Sequence, residues 1–179
     1  MGRLQKFLCI KKKTGAARVV PFELVWMTHL FSDIYSVYGN IDKISSLKAN
    51  IDDIYQILIE FANGIKCTFI VDVISEPAIN ETRITGNKGM IYCDHNTGTI
   101  KIGKGNKWKE VKIETGKMAK GYKGNTPSDS IYVEEMKSFL DAIKKLSARH
   151  TFDDELKILR VLDAIELSNK QAKKIIIRK

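Results

Sequence analysis

Three histidines, His29, His95 and His150, are the side chains of this sequence best suited to exchanging protons near neutral pH. They fall on three separate predicted elements, which argues against a metal-binding triad, and no metal site is expected. His29 is the one placed on a predicted helix. Glu23 precedes it by six residues, a little under two helical turns, and Trp26 by three. An imidazole can take up or release a proton near neutrality, and Glu23 and Trp26 are its candidate neighbours along the helix. The plainer alternative is a histidine that packs or faces water along an amphipathic helix, with Trp26 filling core. His95 sits in a turn before Asn96-Thr97-Gly98 and His150 in a loop between helices, so both are expected in solvent.

Other chemistries leave no trace. Cys9, Cys67 and Cys93 form no CxxC pair, and an odd count in β-like segments reads as small buried hydrophobes rather than a disulfide framework. There is no GxGxxG, GxxxxGK[ST], HExxH or GxSxG motif, so no self-sufficient cofactor site is expected. The net charge of +9 raises nucleic acid as a partner. Its dense runs, Lys11-Lys12-Lys13, Lys173-Lys174 and Arg178-Lys179, carry no interleaved aromatics, so they read as a solvated basic surface. A milder reading is attraction for anionic substrates such as sugar nucleotides. No apolar run approaches the ~18 residues that span a bilayer, and there is no signal-peptide pattern, so the cytoplasm is the expected compartment.

The elements that must position these residues follow from periodicity. Leu4–Ile10 alternates as a strand. Pro21 opens a helix whose apolar positions, Leu24, Met27, Phe31, Ile34 and Val37/Tyr38, run to a stop at Gly39, with a strand over Ile41–Lys48. Two alternating strands flank Asn63-Gly64, a strong hairpin signal. Strands over Asn80–Thr85, Met90–Cys93, Thr99–Ile102 and Trp108–Ile113 continue a meander. A Lys- and Gly-rich loop spans Thr115–Thr126. One helix begins near Ser128 with the stripe Val133, Met136, Phe139, Leu140, Ile143 and Leu146. A second is capped by Thr151, with Asp154 three residues on, and Lys174–Arg178 closes as a strand. Clustered strands predict a single α+β domain over 1–179: a largely antiparallel open sheet with helices on one face. Ile57, Ile59, Phe61, Cys67, Phe69 and Val71 share one parity of the central hairpin, and Leu58 and Ile70 the other. The second face is therefore expected to need a partner.

The order of segments resembles the C-terminal domain of the Gfo/Idh/MocA oxidoreductases (glucose-fructose oxidoreductase, inositol dehydrogenase and relatives). Met1-Gly2-Arg3-Leu4 is similar to the IGxI that begins that domain. Phe22 to His29 resembles the helix that carries the family's active-site histidine. Asp52-Asp53 followed by Ile57 to Gly64 resembles its hairpin, Ile84 to Ile91 its "i.GtkG.i", and Ala164-Ile165-Glu166-Leu167-Ser168 its "aiy.S".

The resemblance implies a fold like the C-terminal domain of dihydrodipicolinate reductase, and an intact parent whose N-terminal Rossmann domain, absent from this chain, binds NAD or NADP. It implies that His29 orients a substrate hydroxyl, with Glu23 and Trp26 in the substrate site, and that the substrate is a sugar, sugar nucleotide or cyclitol. The chain is not expected to bind the cofactor or to be active alone. The family's open sheet face packs on a second copy, so a homodimer or higher homo-oligomer is expected. Two positions depart from the pattern: Val25 stands where inositol-type members carry Asp, and Ser32 where Asp is common, with Asp33 one residue late. Those departures favour the alternative of a non-catalytic ligand-binding or scaffold domain.

Overall fold

The computed structural model describes residues 2–9, 19–48, 50–112, 120, 130–145 and 150–177. The predicted loop Thr115–Thr126 lies outside them except for Lys120. Strand β1 (Arg3–Cys9) leads to helix α1 (Val20–Leu30), and then to β2 (Ile34–Asp42), β3 (Ile54–Phe61) and β4 (Lys66–Asp72). The meander continues as β5 (Asn80–Gly86), β6 (Gly89–Asp94), β7 (Thr99–Lys104) and β8 (Lys107–Val111). Helices α2 (Ser130–Lys145) and α3 (Phe152–Gln171) follow, then β9 (Ile175–Ile176). All nine strands form one sheet, ordered β8-β7-β6-β5-β1-β4-β3-β2-β9. β1 and β4 run parallel, and the other neighbouring pairs are antiparallel. This is the mostly antiparallel α+β architecture that the strand clustering predicts.

The core lies between the middle of the sheet and two helices. Val20, Leu24 and Met27 recur every three to four residues along α1 and are buried. Ile158, Val161, Ala164 and Ile165 do the same on α3. They meet Ile57, Ile59, Phe61, Cys67, Phe69 and Val71, the parity expected to face inward. Leu58 points to the opposite face and is 52% exposed. The capping box at Thr151 forms as predicted: its hydroxyl accepts from the Asp154 N–H, and the Asp154 carboxylate accepts from the Thr151 N–H. No residue of α2 is buried, although Met136, Phe139 and Ile143 line one side of it. Among the described residues no helix is long and apolar enough to cross a membrane.

Two expected elements are corrected. The strand expected over Ile41–Lys48 ends at Asp42, because the Ile44 and Ser45 N–H groups beyond it donate to the Asp53 carboxylate instead of to a neighbouring strand. The first helix stops at Leu30, and Ile34–Tyr38 is strand, not helix. The apolar residues at 31, 34 and 37/38 mimic helical spacing because a bulge between Ile34 and Ser36 shifts the strand's alternation. The run Ile-Tyr-Ser-Val-Tyr also favours strand by composition. Gly39 serves close packing, not helix termination: a Cβ there would lie 2.8 Å from the Ile165 carbonyl oxygen. The same contact turns the edge of β2 over to α3. Ser168 Oγ accepts from the Gly39 N–H at 3.0 Å, and Asn169 Oδ1 from the Ile41 N–H at 2.9 Å. Side chains thus satisfy donors that β9, pairing only at Ser36 and Val37, does not reach.

Asp52-Asp53 also resolves into structure. Asp53 is fully buried, yet its carboxylate accepts from Ser45 Oγ at 2.5 Å and from the N–H groups of Ile44 and Ser45. Burial pushes the Asp53 pKa up, but these hydrogen bonds outweigh it and hold the acid below its ordinary value. The second aspartate therefore anchors the loop after β2.

Candidate functional site

His29 lies in the last turn of α1 and is exposed. It lines a cavity of about 640 Å³ between the end of α1, the start of β2 and the first turns of α3. α1 supplies Val25, Thr28 and His29. The residues leading into β2 supply Asp33, Ile34 and Tyr35. α3 with its cap supplies His150, Asp154, Lys157, Ile158, Arg160 and Val161, and Ala62 and Ile177 complete the wall. Val25 and His29 are one helical turn apart, so they share this face of α1. Val25 therefore presents a methyl pair where the resemblance places a carboxylate. Asp33 reaches the same cavity from four residues beyond His29. The helix has ended by Leu30, so helical spacing no longer governs which residues come round.

The cavity combines an aliphatic floor with a charged rim. Lys157 Nζ donates to Asp154 Oδ1 at 3.1 Å. Asp154 is held down at about 2, first by the Thr151 hydroxyl, then by the Thr151 N–H and Lys157. The bond to Asp154 raises Lys157, and Asp33 adds to that. His150 Nε2 lies 2.6 Å from Glu155 Oε1. The Thr28 hydroxyl is committed to the Leu24 and Val25 carbonyls of its own helix. Among the described residues the Arg160 guanidinium and the Asp33 carboxylate form no ion pair.

Glu23 and Trp26 are brought together, but on a different side of α1, and neither lines the cavity. Trp26 Nε1 donates to Glu23 Oε2 at 2.6 Å. The same oxygen lies 3.6 Å from Lys6 Nζ. Lys6 is 1% exposed, and its ammonium also donates to Asn80 Oδ1 at 2.6 Å. Burial lowers the Lys6 pKa, and Glu23 opposes that shift. Trp26 also packs on Phe31, with ring centroids 6.4 Å apart, and Phe31 in turn on Phe61 at 5.4 Å. His95 is exposed in its turn as expected, yet its Nε2 is 2.9 Å from Thr82 Oγ1. Burial of its ring, then the nearby Lys6 charge, lower its pKa.

Sequence reasoning missed Lys6 and Asn80 as polar partners beside Glu23, Thr82 as the partner of His95, and His150 and Arg160 as cavity residues. A lysine in phase with the buried positions of β1 was the available signal for Lys6. The cavity residues of α3 had none, because only the tertiary fold sets α3 beside α1. Among the described residues no group of three His, Cys, Asp or Glu side chains is placed to hold a metal ion.

Comparison with known proteins places this architecture. The model described as "GFO/IDH/MocA C-terminal domain" matches residues 17–92. Over that segment the chain is similar to a Gfo/Idh/MocA C-terminal domain, in line with the resemblance read from the motifs. Solved structures extend the likeness in fold to nearly the whole chain. An oxidoreductase from Agrobacterium radiobacter, in complex with NAD+, L-tartaric acid and magnesium, is 12% identical with a TM-score of 0.77, over 98% of this chain and 56% of that one. Levoglucosan dehydrogenase in complex with NADH is 14% identical at 0.77, over 99% and 58%. An oxidoreductase domain protein from Kribbella flavida is 15% identical at 0.77, over 99% and 58%. The chain thus spans a little over half the length of the structures it matches. A search of curated proteins finds no match.

Proposed function

We propose that this chain is the substrate-binding and oligomerisation domain of an NAD(P)-dependent oxidoreductase acting on a sugar, sugar nucleotide or cyclitol. The nucleotide site is supplied by a separate unit, and the chain is inactive alone. The observation that carries the reading is His29: the residue matching the family's active-site histidine lines the cavity at the end of α1. When bound, NAD(P) exchanges hydride with the substrate carbon. This chain's part is to hold the reacting hydroxyl. The His29 imidazole donates to or accepts from it, and Asp33 accepts from a neighbouring hydroxyl in place of the carboxylate that Val25 lacks. Glu23 and Trp26 support the site from behind, by fixing α1 against β1 through Lys6.

Galactose and myo-inositol titrated against the chain, with the His29 imidazole followed by NMR, test this. A saturable shift in His29 is expected, and a flat His29 signal with both ligands would refute the reading. Val25 favours a second reading, a ligand-binding domain without catalysis. Under it the same shift appears, but the intact parent turns over no sugar.

We also propose self-association through the sheet face turned away from the helices. Leu58 and Tyr38 are exposed there and Ile70 is half-buried, and apolar surface of this kind favours a two-fold partner. Leu58→Lys should shift the sedimentation of a dimer to that of a monomer. Free thiols at Cys67 and Cys93 suit a cytoplasmic setting.

A further inference from the structure

From the charges around the His29 cavity we infer that its ligand is a sugar acid, bound with its carboxylate on Arg160. This rests on the cavity being the substrate site. The other basic groups that α3 and the turn before it bring there already have partners: Lys157 holds Asp154 at 3.1 Å, and His150 meets Glu155 at 2.6 Å. Arg160, on the same helix and three residues from Lys157, lines the cavity without an ion pair among the described residues. A guanidinium presents a planar fork of donors that matches a carboxylate and keeps its charge throughout the working pH range. Asp33 and His29 lie on the same cavity and serve hydroxyls: an acceptor-only carboxylate and an imidazole that donates or accepts. A cavity of about 640 Å³ falls within the size of small-molecule sites, ~300–1,000 Å³. The chain's net charge of +9 favours approach of an anion.

Binding of D-galacturonate and D-galactose, which differ only in the carboxylate at C6, tests the assignment. The full chain and Arg160→Gln are compared by calorimetry, with the His29 NMR signal as a site marker. The acid should bind the native chain roughly tenfold tighter or more, the factor expected of a charge-assisted pair. In Arg160→Gln that advantage should disappear, the acid losing at least tenfold more affinity than galactose does. Arg160 is exposed, so the variant should fold, and circular dichroism checks this. Equal affinity of the native chain for both sugars would overturn the inference alone. So would an acid preference that survives Arg160→Gln, or inorganic phosphate binding at His29 as tightly as galacturonate. No response of His29 to either sugar would overturn the site reading together with it.

Discussion

Glu23 has two possible occupations, and its stability effect separates them. Its Oε2 accepts from Trp26 and faces the Lys6 ammonium at 3.6 Å, and Lys6 is 1% exposed. Glu23→Gln keeps the shape and an acceptor for Trp26, but removes the only carboxylate that ion-pairs with this buried cation among the described residues. Breaking a buried pair from one side costs ~3–5 kcal/mol when nothing else holds the remaining charge. Here Asn80 still accepts from Lys6, and the Glu23 side chain is 14% exposed, so a loss of ~1–3 kcal/mol is expected. Lys6→Met removes the ammonium instead, leaving Glu23 with its Trp26 bond and some solvent, and should cost less, ~0–1.5 kcal/mol. The double variant should recover most of what Glu23→Gln alone loses, since no stranded charge remains. Urea denaturation followed by circular dichroism measures all three. Glu23→Gln within ~0.5 kcal/mol of the native chain, the range of an ordinary surface change, would refute the structural role. A double variant no better than Glu23→Gln would show that the loss does not come from Lys6.

Ser168→Ala strips the partner from the Gly39 N–H and the 2.6 Å bond to the Lys173 carbonyl at a fully buried position, so a loss of ~1–3 kcal/mol and faster hydrogen exchange at Gly39 are expected. Asn169→Ala, which frees the partly buried Ile41 N–H, should cost less by the same assay. Acid should weaken two surface anchors together. The bonds from Lys174 and Lys66 hold Glu60 at about 2, and the Thr151 cap holds Asp154 at about 2. Both folded pKa values lie below the unfolded ones, so their stabilisation is complete above the ordinary carboxylate range and fades as pH falls from there toward 2. Asp154→Asn should flatten that part of the acid denaturation curve.

Local patterns made much of the fold legible. Asn63-Gly64 marked the central hairpin, strict alternation marked its buried face, and Thr151 with Asp154 marked the start of α3. Where two periods coincided, reading failed: residues 31, 34 and 37/38 fit a helix, and only the β-bulge beside Ile34 shows why a strand gives the same spacing. Gly39 looked like a stop because its real constraint, the backbone of Ile165 across a helix–sheet contact, lies 126 residues away in sequence. Pairing of β1 with both β4 and β5 was equally silent, being non-local. The resemblance pointed to His29, which lines a cavity, but most of the charged side chains around it come from α3 and the turn before it. Glu23 and Trp26 sit near His29 in sequence, yet α1 turns them toward Lys6.

The central claim is that the cavity beside His29 receives the substrate. The most direct test is the His29 imidazole resonance during titration with galactose, myo-inositol and galacturonate, with His95 as internal control. The account predicts a saturable shift at His29 and none at His95, strongest with galacturonate. A response at His95 with His29 silent would contradict it and move the site to the Lys6 side of α1.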